Sequence, residues 1–299
     1  MEQKKTELSI LIPVYNTCCV GFVRQLHRQA EALPIAYEII VADDASTDKP
    51  CVEQNSEILT LSNCRYIVND VNAGAAATRN LLAEESRYGW LLFLDCDMQV
   101  VDDHFLEHYV AAPSHPVVNG GLVFGGDAKE LQHNLRYLYE QAEAPKHTAA
   151  QRSRHPYQAF RSANFLISRP TMLQIRFDER FKRSGYEDVL FGKQLKQSHI
   201  PIAHIDTPLL MTDYEDNPAY VSKTERSLHT LHEFRRDLKG FSRLLTFVDG
   251  IHLGIVRQCF LLIHKLFGRL MRQNLCGRHP RLSIFKLYKL TYYISINQQ

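Results

Sequence analysis

Hydrophobic residues in the first hundred positions fall into short runs and amphipathic stretches separated by polar turns. Leu8-Ser9-Ile10-Leu11-Ile12 is a compact apolar run halted by Pro13, the pattern of a strand buried on both faces. Phe22, Val23, Leu26 and Ala30 then recur at helical spacing. The same alternation predicts strands at 37–42, 65–68 and 90–94, and helices at 52–61 and 75–85. Repeated strand-then-helix units with short loops imply a Rossmann-like α/β fold: a mostly parallel sheet with helices on both faces. Beyond residue 115 the alternation weakens. A helix is expected near 128–143, a strand at 162–168, a helix at 186–197, and mostly helix after Tyr220. The expected organisation is an α/β domain over 1–219 and a helical, basic C-terminal extension over 220–299.

Composition changes this picture little. With 45% hydrophobic and 23% charged residues, the 299-residue chain falls among ordinary folded proteins and outside the disordered class. The placement of charge says more. From Ile251 onward there are eight Lys or Arg and no Asp or Glu, which leaves 27 of the 35 basic residues against all 33 acidic ones in the first 250. A mildly acidic body with a basic tail points to an anionic partner, a membrane surface or nucleic acid. Apolar residues at 255, 256, 259, 260, 263, 266, 267 and 270 alternate with Arg257, Lys265, Arg269 and Arg272. Such a helix suits an anionic membrane surface or packing on the rest of the protein.

The opening MEQKKTELS contains no apolar run long enough for a signal-peptide core, and nowhere do eighteen apolar residues follow one another. The seven cysteines (18, 19, 51, 64, 96, 259, 276) are odd in number and lack C-x-x-C spacing. They read as reduced structural thiols, and the expected location is cytoplasmic.

In parallel sheets ligands bind at the carboxyl ends of the strands. Here those ends carry Pro13-Val14-Tyr15-Asn16, Asp43-Asp44, Asn72 and Asp95-Cys96-Asp97. Asp95 and Asp97 can both turn toward a hard cation shared with phosphate oxygens, or one of them caps a helix starting near Asp102. Asp44 can accept hydrogen bonds from a base or ribose, or the segment is a turn in which Asp48 caps the next helix. Gly74 opens a small-residue helix whose N-terminus could face an anion, with Arg79 offering a fork to a diphosphate. Otherwise this helix packs tightly on the sheet, with Arg79 paired. No G-x-G-x-x-G or G-x-x-x-x-G-K-[ST] is present, which disfavours a dinucleotide or P-loop site. Glu187-Asp188 either complements a helix dipole or supplies a catalytic carboxylate.

Taken in order, PVYN at 13–16, ADDASTD at 42–48, NAGAAATRN at 72–80, LDCD at 94–97 and GYEDVLFG at 185–192 resemble family 2 of the inverting glycosyltransferases. The resemblance covers about residues 8–215 and leaves the last third uncovered. It implies a GT-A fold and transfer of a sugar from a UDP-sugar to an acceptor hydroxyl, with Mn²⁺ or Mg²⁺, in surface polysaccharide or lipid-linked glycan assembly. Carried over, Pro13, Val14, Tyr15 and Asp44 would line the base, with Asp43 supporting that loop and Asn72 beside it. Arg79 would lie near the base or diphosphate, Asp95 at the ribose or metal, and Asp97 on the metal. Asp188 would be the general base, with Glu187 as the next candidate, and Arg161, Ser162 and Asn164 would line the sugar and acceptor pocket.

One departure stands out. Many relatives carry a His shortly after the segment that here reads Asp206-Thr207-Pro208, where this chain has Met211. A third protein metal ligand is then missing unless His204 supplies it. The expected partners are a nucleotide-sugar donor, a glycan or lipid-linked glycan acceptor and an anionic membrane surface at the inner face of the membrane, with no nucleic acid. Two rivals remain at this level. A nucleotidyltransferase making nucleotide sugars needs a Gly-rich basic loop after the first strand, which PVYNTCCVG lacks. A degenerate nucleotide-sugar-binding protein has no need of the acids at 44, 95, 97 and 188.

Overall fold

The computed structural model describes residues 5–182 and 185–297. In chain order the elements are β1 (Glu7–Val14), α1 (Val20–Glu31), β2 (Ala36–Asp43), α2 (Lys49–Asn55), β3 (Cys64–Val68), α3 (Ala75–Glu85), β4 (Trp90–Leu94), α4 (Phe105–Val110), β5 (Val117–Asn119) and β6 (Leu122–Phe124). They continue as α5 (Leu135–Glu143), α6 (Ala149–Arg152), β7 (Asn164–Ser168), α7 (Arg169–Ile175), α8 (Glu187–Gln197), β8 (Ile202–His204), β9 (Leu209–Met211), α9 (Asn217–Glu233), α10 (Arg243–Asp249), α11 (Gly254–Cys276) and α12 (Leu282–Ile296). The chain divides into two compact units, Met1–Val123 with Lys146–Thr212, and Phe124–Pro145 with Asp213–Gln299. The helical unit thus starts a few residues before 220 and also takes in 124–145, a segment that a single division at 219 leaves in the first unit.

The first unit is built on a seven-stranded sheet in the order β3-β2-β1-β4-β7-β5-β8. β1 pairs in parallel with β2 and β4, and β2 with β3, while β7 runs antiparallel to β4 and β5. The sheet is therefore mostly parallel. The apolar run of β1 is explained by its central place, since a strand flanked on both sides in a covered sheet meets no water. From β1 the chain steps outward to β2 and β3, then returns across β1 to β4. Right-handed crossovers in opposite directions put their helices on opposite faces of the sheet. The reversal leaves a crevice between the carboxyl ends of β1 and β4, where ligands bind in such sheets.

Several local readings change in the structure. The helix expected at 52–61 is α2, starting at Lys49, followed by a 3₁₀ turn over Ser56–Thr60. Asp48 caps α2 by accepting from the Cys51 N–H at 3.3 Å, with Pro50 in the first turn. The helix expected from 128 begins only at Leu135, where Asn134 accepts from the Tyr137 N–H at 2.9 Å. Cys18 and Cys51 form a disulfide with Cα atoms 4.7 Å apart, tying the loop after β1 to the start of α2. This corrects the expectation of reduced thiols throughout; the other five cysteines are free.

The second unit is helical. Leu135, Val221, Met271, Leu275, Phe285 and Tyr288 form its buried cluster. Two basic residues of the tail find partners within this unit. Arg272 pairs with Glu225 at 2.8 Å, and Lys289 lies 5.1 Å from the ring centres of both Tyr139 and Phe285.

Candidate active site

Every residue singled out at the strand ends lies in the first unit, and several are brought together over long sequence separations. β1 ends at Val14, which is buried, after half-buried Pro13, and Tyr15 then emerges toward solvent. Asn16, at φ +50°, clamps the neighbouring loop: its side-chain oxygen accepts from the Thr47 and Asp48 N–H groups at 2.7 and 3.0 Å. Asp43, fully buried at the end of β2, accepts from the Ser46 N–H at 2.7 Å and the Tyr66 hydroxyl at 2.6 Å. It shapes the loop that follows.

Asp44 faces a different task. Its Oδ1 accepts from the Ala73 N–H at 2.8 Å and Asn69 Nδ2 at 3.2 Å, and its Oδ2 from the Gly74 N–H at 2.8 Å. Asn72 donates to the Asp44 main-chain oxygen at 3.0 Å. The anion at the start of α3 is thus this protein carboxylate. A carboxylate has about four acceptor positions, so one remains on Oδ2. Gly74 makes the approach feasible: its φ is +89°, and a Cβ there would lie 3.1 Å from the Lys182 carbonyl oxygen.

Arg79, one turn into α3, is only 4% exposed. Its Nη2 donates to Asp95 Oδ1 at 2.7 Å, its Nη1 lies 3.9 Å from Glu187 Oε1, and the guanidinium sits 5.5 Å from the Phe177 ring centre. Nε and Nη1 are buried without a hydrogen-bond partner among the described residues. Burial works against its charge, but Asp95 and Glu187 more than offset this, and the group stays protonated. The fork expected to meet a diphosphate is turned onto two acids of the protein.

Asp95, Cys96 and Asp97 follow β4. The Asp95 N–H donates to the Ala163 carbonyl at 2.9 Å, which ties this turn to the segment entering β7. Asp95 is partly exposed and keeps Oδ2 free of Arg79, while Asp97 is exposed. Among the described residues no group of three or more His, Cys, Asp or Glu converges as a metal cluster. Mg²⁺ and similar ions in phosphate-transfer sites commonly take one or two carboxylates, with substrate phosphates and waters completing the shell. The donor set of Asp95 and Asp97 fits a cation shared with a diphosphate, not a closed protein cage. His204 adds nothing to it. Its two ring nitrogens lie 2.8 Å from Arg152 Nη1 and 3.0 Å from the Pro156 carbonyl, and burial lowers its pKa to about 4. Met211 is buried.

Glu187 and Asp188 begin α8. The chain reaches them through Gly185 at φ +119° and Tyr186 at φ +71°, and a tyrosine held there stores strain of the kind that gathers at functional sites. The Gly185 N–H donates to Glu187 Oε2 at 2.7 Å, and Asp188 Oδ1 accepts from the Val189 N–H at 2.8 Å. Burial raises the pKa of both acids. The Asp188 charge raises Glu187 further, Arg79 opposes the rise at Glu187, and Arg161 leads the opposition at Asp188.

The expected sugar and acceptor segment is divided. Arg161 is exposed and its charge reaches Asp188, whereas Ser162 is buried. Asn164 does not line a pocket. Its amide donates to the Gly121 and Thr207 carbonyls at 2.9 Å each, and its oxygen accepts from the Tyr109 hydroxyl at 2.6 Å. All its hydrogen-bonding groups serve the fold. Tyr66 and Asn69, which hold the acidic loop, are not singled out by the sequence, and Asn16 enters there only as part of PVYN at the end of β1.

Comparison with known proteins adds family and fold. Residues 9–177 match Glycosyl transferase family 2. An uncharacterized glycosyltransferase of Haemophilus influenzae is 36% identical over 92 residues, 30% of this chain and 29% of that protein. Chondroitin synthase of Escherichia coli is 34% identical over 92 residues, 30% of this chain and 13% of the synthase. The similarity therefore spans less than a third of each relative. Among solved structures, the mannosyltransferase PcManGT of Pyrobaculum calidifontis, in complex with GDP-Man and Mn²⁺, superposes with a TM-score of 0.56 at 12% identity, over 96% of this chain and 84% of that one. Residues 1–349 of S. aureus TarS give 0.50 at 16% identity, over 98% and 92%. These structures share the GT-A fold with this chain.

Proposed function

Since the chain belongs to glycosyl transferase family 2, we propose that it is a metal-dependent, inverting glycosyltransferase that moves a sugar from a UDP-sugar to an acceptor hydroxyl. The observation that carries this reading is the buried Arg79, which joins Asp95 at the end of β4 to Glu187 beside Asp188 at the start of α8. One side of that bridge suits a diphosphate and its cation, the other an acceptor hydroxyl.

In this mechanism Asp188 accepts the proton of the acceptor hydroxyl as its oxygen bonds to the anomeric carbon and the bond to the diphosphate breaks. A single displacement of this kind needs one base and no protein nucleophile. The raised basicity that burial gives Asp188 suits it to take that proton. Arg79 positions Asp95 and Glu187. Asp97 and the free oxygen of Asp95 would hold Mn²⁺ or Mg²⁺, which supplies positive charge against the departing diphosphate. Pro13, Val14, Tyr15 and the remaining acceptor position of Asp44 form the base side, with Asn72 and Asp43 holding the loop. Arg161 borders the sugar and acceptor side. Surface polysaccharide or lipid-linked glycan assembly at the cytoplasmic face of a membrane completes the reading. The exposed basic and apolar residues of α11 support that location.

A panel of UDP- and GDP-sugars, assayed for nucleotide release with Mn²⁺ and with chelator, tests the reaction and its donor. UDP-sugars are expected to be used, and only with metal. Preference for GDP-mannose, the donor bound by the P. calidifontis enzyme, would replace the uridine assignment. Asp97→Ala is expected to weaken Mn²⁺-dependent UDP binding by about 100-fold, as one strong charge interaction disappears, while leaving the unfolding transition in place. Undiminished binding by calorimetry would remove Asp97 from the metal set.

A further inference from the structure

α11 presents two opposed faces. Gly268, Met271 and Leu275 are buried. On the other side Ile255, Leu262, Leu266 and Leu270 are 73%, 55%, 60% and 60% exposed. At about 100° per residue these four lie within roughly 80° of arc, one apolar stripe along most of a 23-residue helix. Leucine and isoleucine repeated at helical spacing in water mark a binding surface, whereas scattered apolar residues would not.

What borders the stripe decides the partner. Lys265 and Arg269 are exposed along one flank, and from Ile251 onward the chain has no acidic residue. A second copy docking its own stripe would bring Lys265 and Arg269 toward their counterparts with no acid of this segment to receive them. An anionic lipid surface answers both features, taking the cations at its headgroups and the leucines at its acyl boundary. No helix among the described residues is long and apolar enough to cross a membrane, so the helix would lie in the interface.

We infer that the exposed face of α11 is an in-plane anchor for an anionic bilayer, with Ile255, Leu262, Leu266 and Leu270 inserted and Lys265 and Arg269 on the headgroups. The anchor is independent of the transfer chemistry and is measured without donor, so its failure leaves the proposed reaction standing.

The test is co-sedimentation of the full chain with vesicles containing phosphatidylglycerol or only phosphatidylcholine, at roughly 0.01 M and 1 M salt, between which the Debye length falls from about 30 to 3 Å. Binding to the anionic vesicles at low salt, weakened at high salt, is expected. K265Q/R269Q should bind about 30-fold more weakly, because two cations are removed from the headgroup layer. L262Q/L266Q should bind about 100-fold more weakly or worse. Circular dichroism melts of both variants should match the wild type, because the replaced side chains face solvent. Indifference of the intact chain to anionic vesicles overturns the anchor. So does equal binding to both lipids that survives K265Q/R269Q. Concentration-dependent self-association in sedimentation velocity, abolished by L262Q/L266Q without any vesicle binding, assigns the stripe to a second copy instead.

Discussion

Asp188 and Glu187 are acids held where burial disfavours their charge, and among the described residues the Val189 N–H and the charges of Arg161 and Arg79 compensate Asp188 in part. Replacing Asp188 by Asn removes the proposed base and a buried ionisable group together. Turnover is expected to fall by about 10²–10⁴-fold with donor binding unchanged. The stability effect has the opposite sign. An acid whose pKa is raised on folding takes up protons as the chain folds, so the wild type loses stability as pH climbs from the ordinary value of 3.8 through the raised one. Asparagine does not titrate. Its advantage should be absent below that ordinary value, grow as pH rises and level off once the folded acid is ionised, a melting-temperature gain of about 2–4 °C per kcal/mol. A variant less stable than wild type at neutral pH would mean that Arg161 and Arg79 outweigh burial. At this scale the sequence shows which acids stand at strand ends and helix starts, because both are readable from pattern. It does not mark what each acid touches. Asp44 meets Ala73 and Gly74 thirty residues away, and Asn164, placed beside promising neighbours, spends its whole amide on the Gly121 and Thr207 carbonyls and Tyr109.

α3 is the element on which the proposed donor side turns. Its first turn holds Asp44, and Arg79 projects from its next turn to Asp95. Gly74 sets the entry angle through a φ that L-residues rarely adopt, beside the Phe181 and Lys182 carbonyls. Gly74→Ala should therefore cost about 1–3 kcal/mol in urea unfolding and weaken nucleotide binding, as the Ala73 and Gly74 N–H groups move off Asp44. Unchanged stability together with unchanged UDP affinity would show that the turn tolerates a side chain and has no part in the site. The boundaries of α3 were legible because small residues follow a glycine and the segment ends at a polar turn. Apolar periodicity places the start of α2 too late, although the sequence already offers Asp48 as its cap, and it misses the start of α5, which is fixed by the Asn134 cap. β7 reads as a strand from its apolar run, but its antiparallel direction depends on partners β4 and β5. Strands of three residues, such as β5, β8 and β9, are too short to show a period at all.

Across the whole chain, the tail packs through one face of α11 and leaves the other exposed. The sequence showed one amphipathic pattern and left open whether it meets lipid or protein, because periodicity gives a face without naming what covers it. Within the helical unit, Met271 and Leu275 of α11 join Phe285 and Tyr288 of α12 around Leu135 of α5 and Val221 of α9, while Leu266 on the same α11 faces solvent. Two truncations separate the roles. Phe285→Ala empties a buried site packed against Tyr139 and Tyr220, whose ring centres each lie 5.5 Å away, and should cost about 3–5 kcal/mol. Leu266→Ala leaves the buried packing untouched and should stay within about 0.5 kcal/mol of wild type. Both are read by denaturant unfolding of the full chain, with fluorescence and circular dichroism compared, because two units can unfold in separate transitions. If Leu266→Ala destabilises as much as Phe285→Ala, the outer face of α11 is packed in solution and cannot serve as a free surface. If Phe285→Ala is neutral, the cluster around Leu135 does not hold the helical unit together, and the joining of 124–145 to the C-terminal helices loses its physical basis.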